Sequence, residues 1–263
     1  MGFLFLKNLK VFIKMKISSR QETTIDYPGK FGYVLFTPGC NFRCGYCHNP
    51  ELKDFSEGKF DLGILLRDIS AKAKSGWYTG VCISGGEPTL QQGLPDFARR
   101  LKESGVAVKI DTNGSNPEML ERLISEKNID YIAMDVKSPK NLYASVVGRD
   151  DVDLGKIQES VRLISNSGIG YEFRTTVVPV NDGILRFMTA DEISEIARWI
   201  LETAGREDSK YFVQRFVARD KNEMMDGAFG RESLPDEMHE TPMDLLEQMR
   251  AEAIKLLPNT FVR

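Results

Sequence analysis

Three cysteines lie close together in the chain, at Cys40, Cys44 and Cys47. This C-x3-C-x2-C spacing places three soft thiolates around one short loop, and thiolate ligands select zinc, copper(I) or iron–sulfur clusters. Ferredoxins hold their clusters with four cysteines, so a set of three leaves one iron of a four-iron cluster without a protein ligand. The spacing therefore predicts an iron–sulfur cluster whose open iron can bind and activate another molecule.

Other uses of the cysteines remain open at this point. Structural zinc takes a fourth Cys or His ligand, and His48 directly follows Cys47, although adjacent residues in a tight loop rarely both reach one tetrahedral centre. A disulfide is less favoured, because four cysteines in 263 residues with no secretory leader are typical of a cytoplasmic protein in a reducing compartment. Cys82, in an apolar run before two glycines, is predicted to be a buried, inert thiol.

A second motif, Ser84-Gly85-Gly86-Glu87-Pro88, follows the next predicted strand. Together with the cysteine motif it resembles the radical S-adenosylmethionine (radical SAM) superfamily. The segments 25–30, 36–44 and 47–52 resemble, more closely, the activating proteins of glycyl-radical enzymes. Within that group the sequence is most similar to the activating proteins of anaerobic ribonucleoside-triphosphate reductase, and the resemblance extends over residues 23–216.

The resemblance implies a [4Fe-4S] cluster on the three cysteines and S-adenosylmethionine at its open iron. One electron from the reduced cluster would cleave this cofactor to a 5′-deoxyadenosyl radical, which abstracts hydrogen from a glycine of a partner enzyme. The implied partner is a glycyl-radical enzyme, anaerobic ribonucleotide reductase above all, with flavodoxin or ferredoxin as the electron donor. The alternatives are a radical SAM enzyme that acts on a small molecule, such as a deazaguanine-synthase-like biosynthetic enzyme, and a zinc-stabilised binding module.

The resemblance also implies residues that bind the cofactor. Gly85 and Gly86 would let the backbone approach its methionine part, whose ammonium group meets polar acceptors such as Glu87. In the superfamily, the residue at the position of Tyr46 packs against adenine, and the backbone near His48 would read the edge of the base.

Further cofactor contacts are expected from the predicted strands. Asp135 and Lys137 are two residues apart, so they face the same side of a strand, and in related activating enzymes such a pair helps to hold the cofactor. Asp135 would also hold a monovalent cation, together with Asp111 and Thr112. Arg174 has two interpretations, an internal salt bridge to a neighbouring carboxylate or a contact with the cofactor carboxylate.

Short apolar runs alternate with amphipathic segments along most of the chain. The patterns predict strands at 33–37, 81–84, 106–111, 131–135, 171–177 and 211–216 and helices at 61–74, 94–104, 117–126, 154–166 and 190–203. This alternation predicts an α/β fold with a parallel sheet. Because six units are too few for a closed eight-fold barrel, we expect a partial (β/α)6 TIM-like barrel that is open on one side, with its site at the carboxyl ends of the strands.

The expected organisation is an N-terminal extension with edge strands over 1–28, the radical SAM core over 29–216 and a C-terminal segment over 217–263 with a helix at 242–257. Residues 217–243 fit either a lid or docking segment or a solvated connection. Met15 is an alternative start to Met1. A net charge of −3 argues against a nucleic-acid partner, and no apolar run approaches the ~20 residues that span a membrane.

Overall fold

The computed structural model describes residues 14–263. Its strands, in chain order, are β1 Ser19–Thr23, β2 Gly32–Thr37, β3 Gly80–Gly85, β4 Ala107–Thr112, β5 Tyr131–Asp135, β6 Gly170–Val177, β7 Pro179–Asn181, β8 Leu185–Phe187, β9 Tyr211–Arg215 and β10 Thr260–Val262. Strands β1 to β6, β9 and β10 form one sheet in that order, while β7 and β8 form a separate hairpin. Among the strands of residues 14–263, only β1 runs antiparallel to its neighbour in the large sheet. Within the same residues, β1 and β10 are the two edges of this sheet, which therefore forms an open barrel.

Helices follow the parallel strands and cover the outside of the sheet. They are α1 Leu62–Lys74, α2 Leu94–Glu103, α3 Pro117–Ser125, α4 Tyr143–Val147, α5 Leu154–Ser165, α6 Ala190–Ala204 and α7 Met243–Ala253. Several begin at side-chain caps, and α6 starts with a capping box in which Thr189 and Glu192 bond each other's backbone. In residues 14–263, no helix has the length and apolar character needed to cross a membrane.

The predicted α/β barrel is confirmed, with six strands close to their expected positions. Strand β4 lies one residue later than the predicted range 106–111. The structure adds β10 as a further parallel strand beside β9, and three residues are too few to show a period in the sequence. The stretch considered as an N-terminal edge strand lies almost wholly outside the described residues, and the antiparallel edge strand β1 begins at Ser19.

Residues 217–242, which we call the cap segment, run between β9 and α7 as short turns rather than as a regular element. The Oγ1 atom of Thr241 joins the end of this segment to the barrel, because it donates to the Val177 carbonyl at 2.8 Å and accepts from the Phe216 amide at 3.0 Å. Met224 and Met238 within it are buried. The cap segment is therefore anchored to the barrel at a few buried residues, while most of the residues between them are exposed.

Candidate functional site

The cysteine loop follows β2 directly, at the carboxyl end of the sheet. All three thiols are free, and Cys44 is buried while Cys40 and Cys47 are partly exposed. Burial raises the pKa of Cys40 to about 12 and also raises the pKa of Cys44. Backbone amides point at two of the sulfurs, Phe42 N at 3.4 Å from Cys40 Sγ and Asn49 N at 3.5 Å from Cys47 Sγ. Such thiols become thiolates when a bound metal supplies positive charge.

The position of His48 bears on the choice between a cluster and structural zinc. Within residues 14–263, no group of three His, Cys, Asp or Glu side chains is placed to bind one ion. Structural zinc needs four ligands at about 2.0–2.3 Å from one point, whereas a cluster offers each thiolate a different iron. His48, the candidate fourth zinc ligand, has its Nε2 2.9 Å from the carbonyl oxygen of Val217. His48 is thus held by the cap segment, so it does not complete a zinc site with the three thiols.

Arg43, between the first two cysteines, holds the loop in shape. Its Nη1 donates to the carbonyl oxygens of Cys40 at 2.5 Å and Phe42 at 2.8 Å, and its amide donates to the Val147 carbonyl at the end of α4. Gly148 is required beside it, because its φ is +66° and a Cβ there would lie 2.4 Å from the Arg43 carbonyl oxygen. The sequence alone did not indicate this role of Arg43, since the role depends on α4, about a hundred positions later in the chain.

Gly85 and Gly86 lie against the turn that leads into the cysteine loop. A Cβ on Gly86 would come within 2.2 Å of the Gly39 carbonyl oxygen, and one on Gly85, whose φ is +122°, within 2.2 Å of the Thr37 amide nitrogen. The close backbone approach in the structure is thus to the cysteine loop. An approach of the same glycines to a cofactor remains a prediction.

Glu87 is buried between the ends of β3 and β4. Its Oε1 accepts from the hydroxyls of Thr89 at 2.6 Å and Thr112 at 2.8 Å and from the Thr89 amide, while Oε2 accepts from the Asn113 amide at 2.6 Å. Burial raises its pKa, and these donors oppose that rise. Four donors match the roughly four acceptor positions of a carboxylate, so Glu87 ties two strand ends together. Its predicted contact with the cofactor ammonium is untested.

The other predicted polar residues converge in the barrel interior. Arg174 lies beside Asp135 in the register of β5 and β6, and its Nε donates to Asp135 Oδ1 at 2.8 Å. Lys137 donates to the other oxygen of Asp135 at 2.8 Å. Burial alone would raise the pKa of Asp135, but Arg174 and Lys137 outweigh it and hold the pKa well below its ordinary value. The internal salt bridge of Arg174 is therefore present in the structure.

Asp111 belongs to the same cluster of charges. It pairs with the fully buried Lys109, and Arg174 Nη1 lies 3.5 Å from its Oδ1. Glu172, on β6, is 4.0 Å from Arg174 and 3.3 Å from Arg263. The interior charges comprise three cations and three carboxylates, namely Lys109, Lys137, Arg174, Asp111, Asp135 and Glu172, and the exposed Arg263 meets Glu172 from the surface. The charges of the interior set are therefore balanced, and Lys137 is the cation of this set nearest to the ring of Tyr46.

Sequence reasoning missed Lys109, although the signal was present. Lys109 and Asp111 are two residues apart on one strand, which is the spacing that identified Asp135 and Lys137. The structure also bears on the predicted monovalent cation. The hydroxyl of Thr112 donates to Glu87, on the face of β4 opposite Asp111, and Asp111 and Asp135 are both paired with side-chain cations. The cation site therefore stays a prediction.

Tyr46 links the cysteine loop to the charged cluster. Its ring lies 5.9 Å from Lys137 Nζ and 6.3 Å from the ring of Phe229 in the cap segment. Only 9% of Tyr46 is exposed, and its hydroxyl has no hydrogen-bond partner among the described residues. A buried hydroxyl without a partner is a position where a bound ligand would supply an acceptor. The packing of Tyr46 on adenine remains a prediction.

The cap segment is bonded to the cysteine loop itself. The amide of Met225 donates to the Cys47 carbonyl at 3.2 Å, and the amide of Asp226 donates to the Gly45 carbonyl at 3.0 Å. The ring of Phe229 fills the space where a Cβ on Gly45 would lie, at 2.5 Å. These contacts place the cap segment over the loop that carries the three thiols, which no local pattern in the sequence indicated.

Comparisons with known proteins agree with this site. The family model of the radical SAM superfamily matches residues 34–200. A protein of Methanocaldococcus jannaschii, provisionally named glycyl-radical enzyme activating enzyme, is 38% identical over 202 residues, which cover 75% of this chain and 78% of that protein. The pyruvate formate-lyase-activating enzyme of Staphylococcus aureus is 36% identical over 131 residues, 45% of this chain and 51% of that enzyme.

A solved structure supports the fold independently. Coproporphyrinogen III oxidase of Escherichia coli, a radical SAM enzyme, matches with a TM-score of 0.55 at 14% identity, over 86% of this chain and 51% of that one. The present chain thus spans about half the length of that protein and of the S. aureus enzyme. With the family model, the M. jannaschii relative and the thiol loop in agreement, the chain belongs to the radical SAM superfamily and is an enzyme of its glycyl-radical-enzyme activating type.

Proposed function

We propose that this enzyme installs a glycyl radical on a partner protein, and that the partner is anaerobic ribonucleoside-triphosphate reductase. The observation that carries the proposal is the placement of the three-thiol loop beside the Asp135, Lys137 and Arg174 cluster at the open end of the barrel, with Tyr46 between them. The residue resemblance over 23–216 supports the choice of partner.

In this proposal Cys40, Cys44 and Cys47 hold a [4Fe-4S] cluster. When bound, the cluster and S-adenosylmethionine supply a one-electron cleavage that produces a carbon-centred radical. Lys137 and Arg174 are fixed by Asp135, so their remaining N–H groups would bind and orient the carboxylate of the cofactor. Holding the reacting groups in one geometry is the main contribution of such a site, because hydrogen abstraction requires no side-chain base.

The open side of the sheet, between β1 and β10, would admit a glycine-bearing loop of the partner. The cap segment, which is hydrogen-bonded to the cysteine loop, would help to exclude water from the thiols. We assign catalysis to the barrel over residues 29–216, flanked by the segments 1–28 and 217–263. Because three cysteines must stay reduced to bind iron, we place the enzyme in the cytoplasm, with flavodoxin or ferredoxin as its electron donor.

A second candidate partner is pyruvate formate-lyase, favoured by the match to the S. aureus activating enzyme over 131 residues. The test is anaerobic incubation of the reduced, cluster-loaded protein with S-adenosylmethionine and each purified partner in parallel. Electron paramagnetic resonance would report a glycine-centred doublet, and chromatography would report 5′-deoxyadenosine. We expect the doublet on the reductase and not on the lyase.

Two cysteine variants control this experiment. Cys44→Ala removes a cluster ligand and is expected to abolish both signals, whereas Cys82→Ala removes the cysteine of β3 and is expected to retain the cluster. Cofactor cleavage without a radical on either partner would redirect the proposal to a small-molecule substrate. Iron loading without any cofactor cleavage would refute the radical mechanism for this chain.

A further inference from the structure

Lys109 is a buried ammonium that the proposed chemistry does not use directly. Its side chain is 2% exposed, on the face of β4 that points into the barrel. A buried charge is tolerated only when it is paired, and Lys109 has two neighbours, the carboxylate of Asp111 and the thiol of Cys82 at 3.7 Å. Lys109 is therefore fixed in place by a partner two residues along the same strand.

From Lys109 a line of alternating charges leads to the cysteine loop. Asp111 is 3.5 Å from Arg174, Arg174 is 2.8 Å from Asp135, and Asp135 is 2.8 Å from Lys137. The line crosses from β4 to β6 and then to the end of β5, and Lys137 faces Tyr46 at 5.9 Å. Each of the three middle groups, Asp111, Arg174 and Asp135, is shared between two neighbours, so the position of one charge constrains the next.

Arg174 is the residue whose position depends on the charge of Lys109. Its Nε holds Asp135 closely, while its Nη1 lies at a longer distance from Asp111, whose charge Lys109 already balances. Without the ammonium of Lys109, Asp111 would attract the guanidinium more strongly and draw it away from Asp135. Lys137 would then lose the fixed carboxylate that orients it.

We propose that Lys109 is a positioning residue for S-adenosylmethionine, acting through Asp111 to hold Arg174 and Asp135 in their binding geometry. The inference rests on the proposed function, in which the charged side chains of Asp135, Lys137 and Arg174 bind the cofactor. Lys109 itself lies three residues before the carboxyl end of β4, so it would not contact the cofactor directly.

The test measures the dissociation constant of S-adenosylmethionine by calorimetry on the full, cluster-loaded chain. Lys109→Met is expected to raise that constant at least tenfold, while Lys156→Met, at an exposed lysine paired with Glu118, leaves it unchanged. Because Lys109 acts through Arg174, adding Lys109→Met to an Arg174→Met protein should cost less than a further twofold. This non-additivity is the readout that a merely structural lysine would not produce.

Unchanged affinity in Lys109→Met would overturn the inference, and so would losses that multiply in the double variant. Iron content and the urea midpoint of each protein are measured first. If Lys109→Met does not load its cluster, Lys109→Gln, which keeps a donor for Asp111 without the charge, takes its place with the same expected results. The two proposals fail separately. If Lys109→Met binds the cofactor normally and still produces the partner radical, the role of Lys109 is refuted and the proposed function stands. If the wild-type protein produces no partner radical, the proposed partner function fails, and the affinity test of Lys109 is still valid.

Discussion

Replacement of Gly86 by alanine tests whether the Ser84-Gly85-Gly86 turn serves the cysteine loop or the cofactor. The added methyl carbon would lie 2.2 Å from the Gly39 carbonyl oxygen and 2.9 Å from that of Leu52. Because ordinary contacts begin near 3.5 Å, the backbone just before Cys40 would have to move by roughly 1 Å. Two hydrogen bonds of 2.8 Å cross this gap, from Glu87 N to Gly39 O and from Gly39 N to Leu52 O.

The magnitude follows from these contacts. A shift of that size takes both hydrogen bonds beyond bonding distance, at about 1 kcal/mol each, and overpacking adds about 1–3 kcal/mol. We therefore expect Gly86→Ala to lower the free energy of unfolding of the apoprotein by about 3–5 kcal/mol. In urea, with a slope of about 2–3 kcal/mol per molar, the midpoint should fall by about 1–2 M.

The assay combines urea unfolding, followed by circular dichroism, with the iron content after reconstitution. Gly227→Ala is the matched control, because its Cβ would meet only Lys221 Cβ at an ordinary 3.7 Å, and its midpoint should stay within the error of the wild type. A Gly86→Ala protein with wild-type midpoint and full iron content would refute this reasoning. If that protein then failed to bind S-adenosylmethionine, the predicted approach of Gly86 to the cofactor would be the better account.

Three other changes probe the cap segment, the charged cluster and a helix start. Phe229→Ala should expose the Tyr46 ring to solvent, as second-derivative ultraviolet absorbance would show by one additional exposed tyrosine; an unchanged spectrum would contradict the covering role. The pKa of Asp135 is lowered on folding, so its ionisation stabilises the apoprotein above its ordinary value of 3.8 and that contribution fades as the pH falls below it. Urea midpoints should therefore decline less on acidification in Asp135→Asn than in the wild type, and equal declines would refute this. Thr189→Ala should lower the free energy of unfolding, measured in urea, by about 1 kcal/mol without loss of iron. An unchanged midpoint would argue against the role of Thr189 as the N-cap residue of α6.

The sequence by itself determined the elements and the chemical type of the site. The periods of the apolar residues predicted six parallel strands, and the spacing of Cys40, Cys44 and Cys47 predicted a cluster loop after the first of them. These inferences succeeded because each depends on a local repeat or a short motif. Asp135 and Lys137, which are two residues apart, are in contact, although Lys137 lies beyond the last residue of β5, so the alternation of side chains along a strand does not by itself explain the contact.

Tertiary structure decided which partner each side chain meets. Arg174 had two possible roles in the sequence, and the register that places it beside Asp135 shows its salt bridge, while its contact with the cofactor remains a proposal. Lys109 became part of the site only because β4 lies next to β5 and across from Arg174. The cap segment meets Cys47 and Gly45 from about 180 residues away, through backbone amides that any sequence could supply. Such contacts depend on how distant segments pack, so no local pattern encodes them.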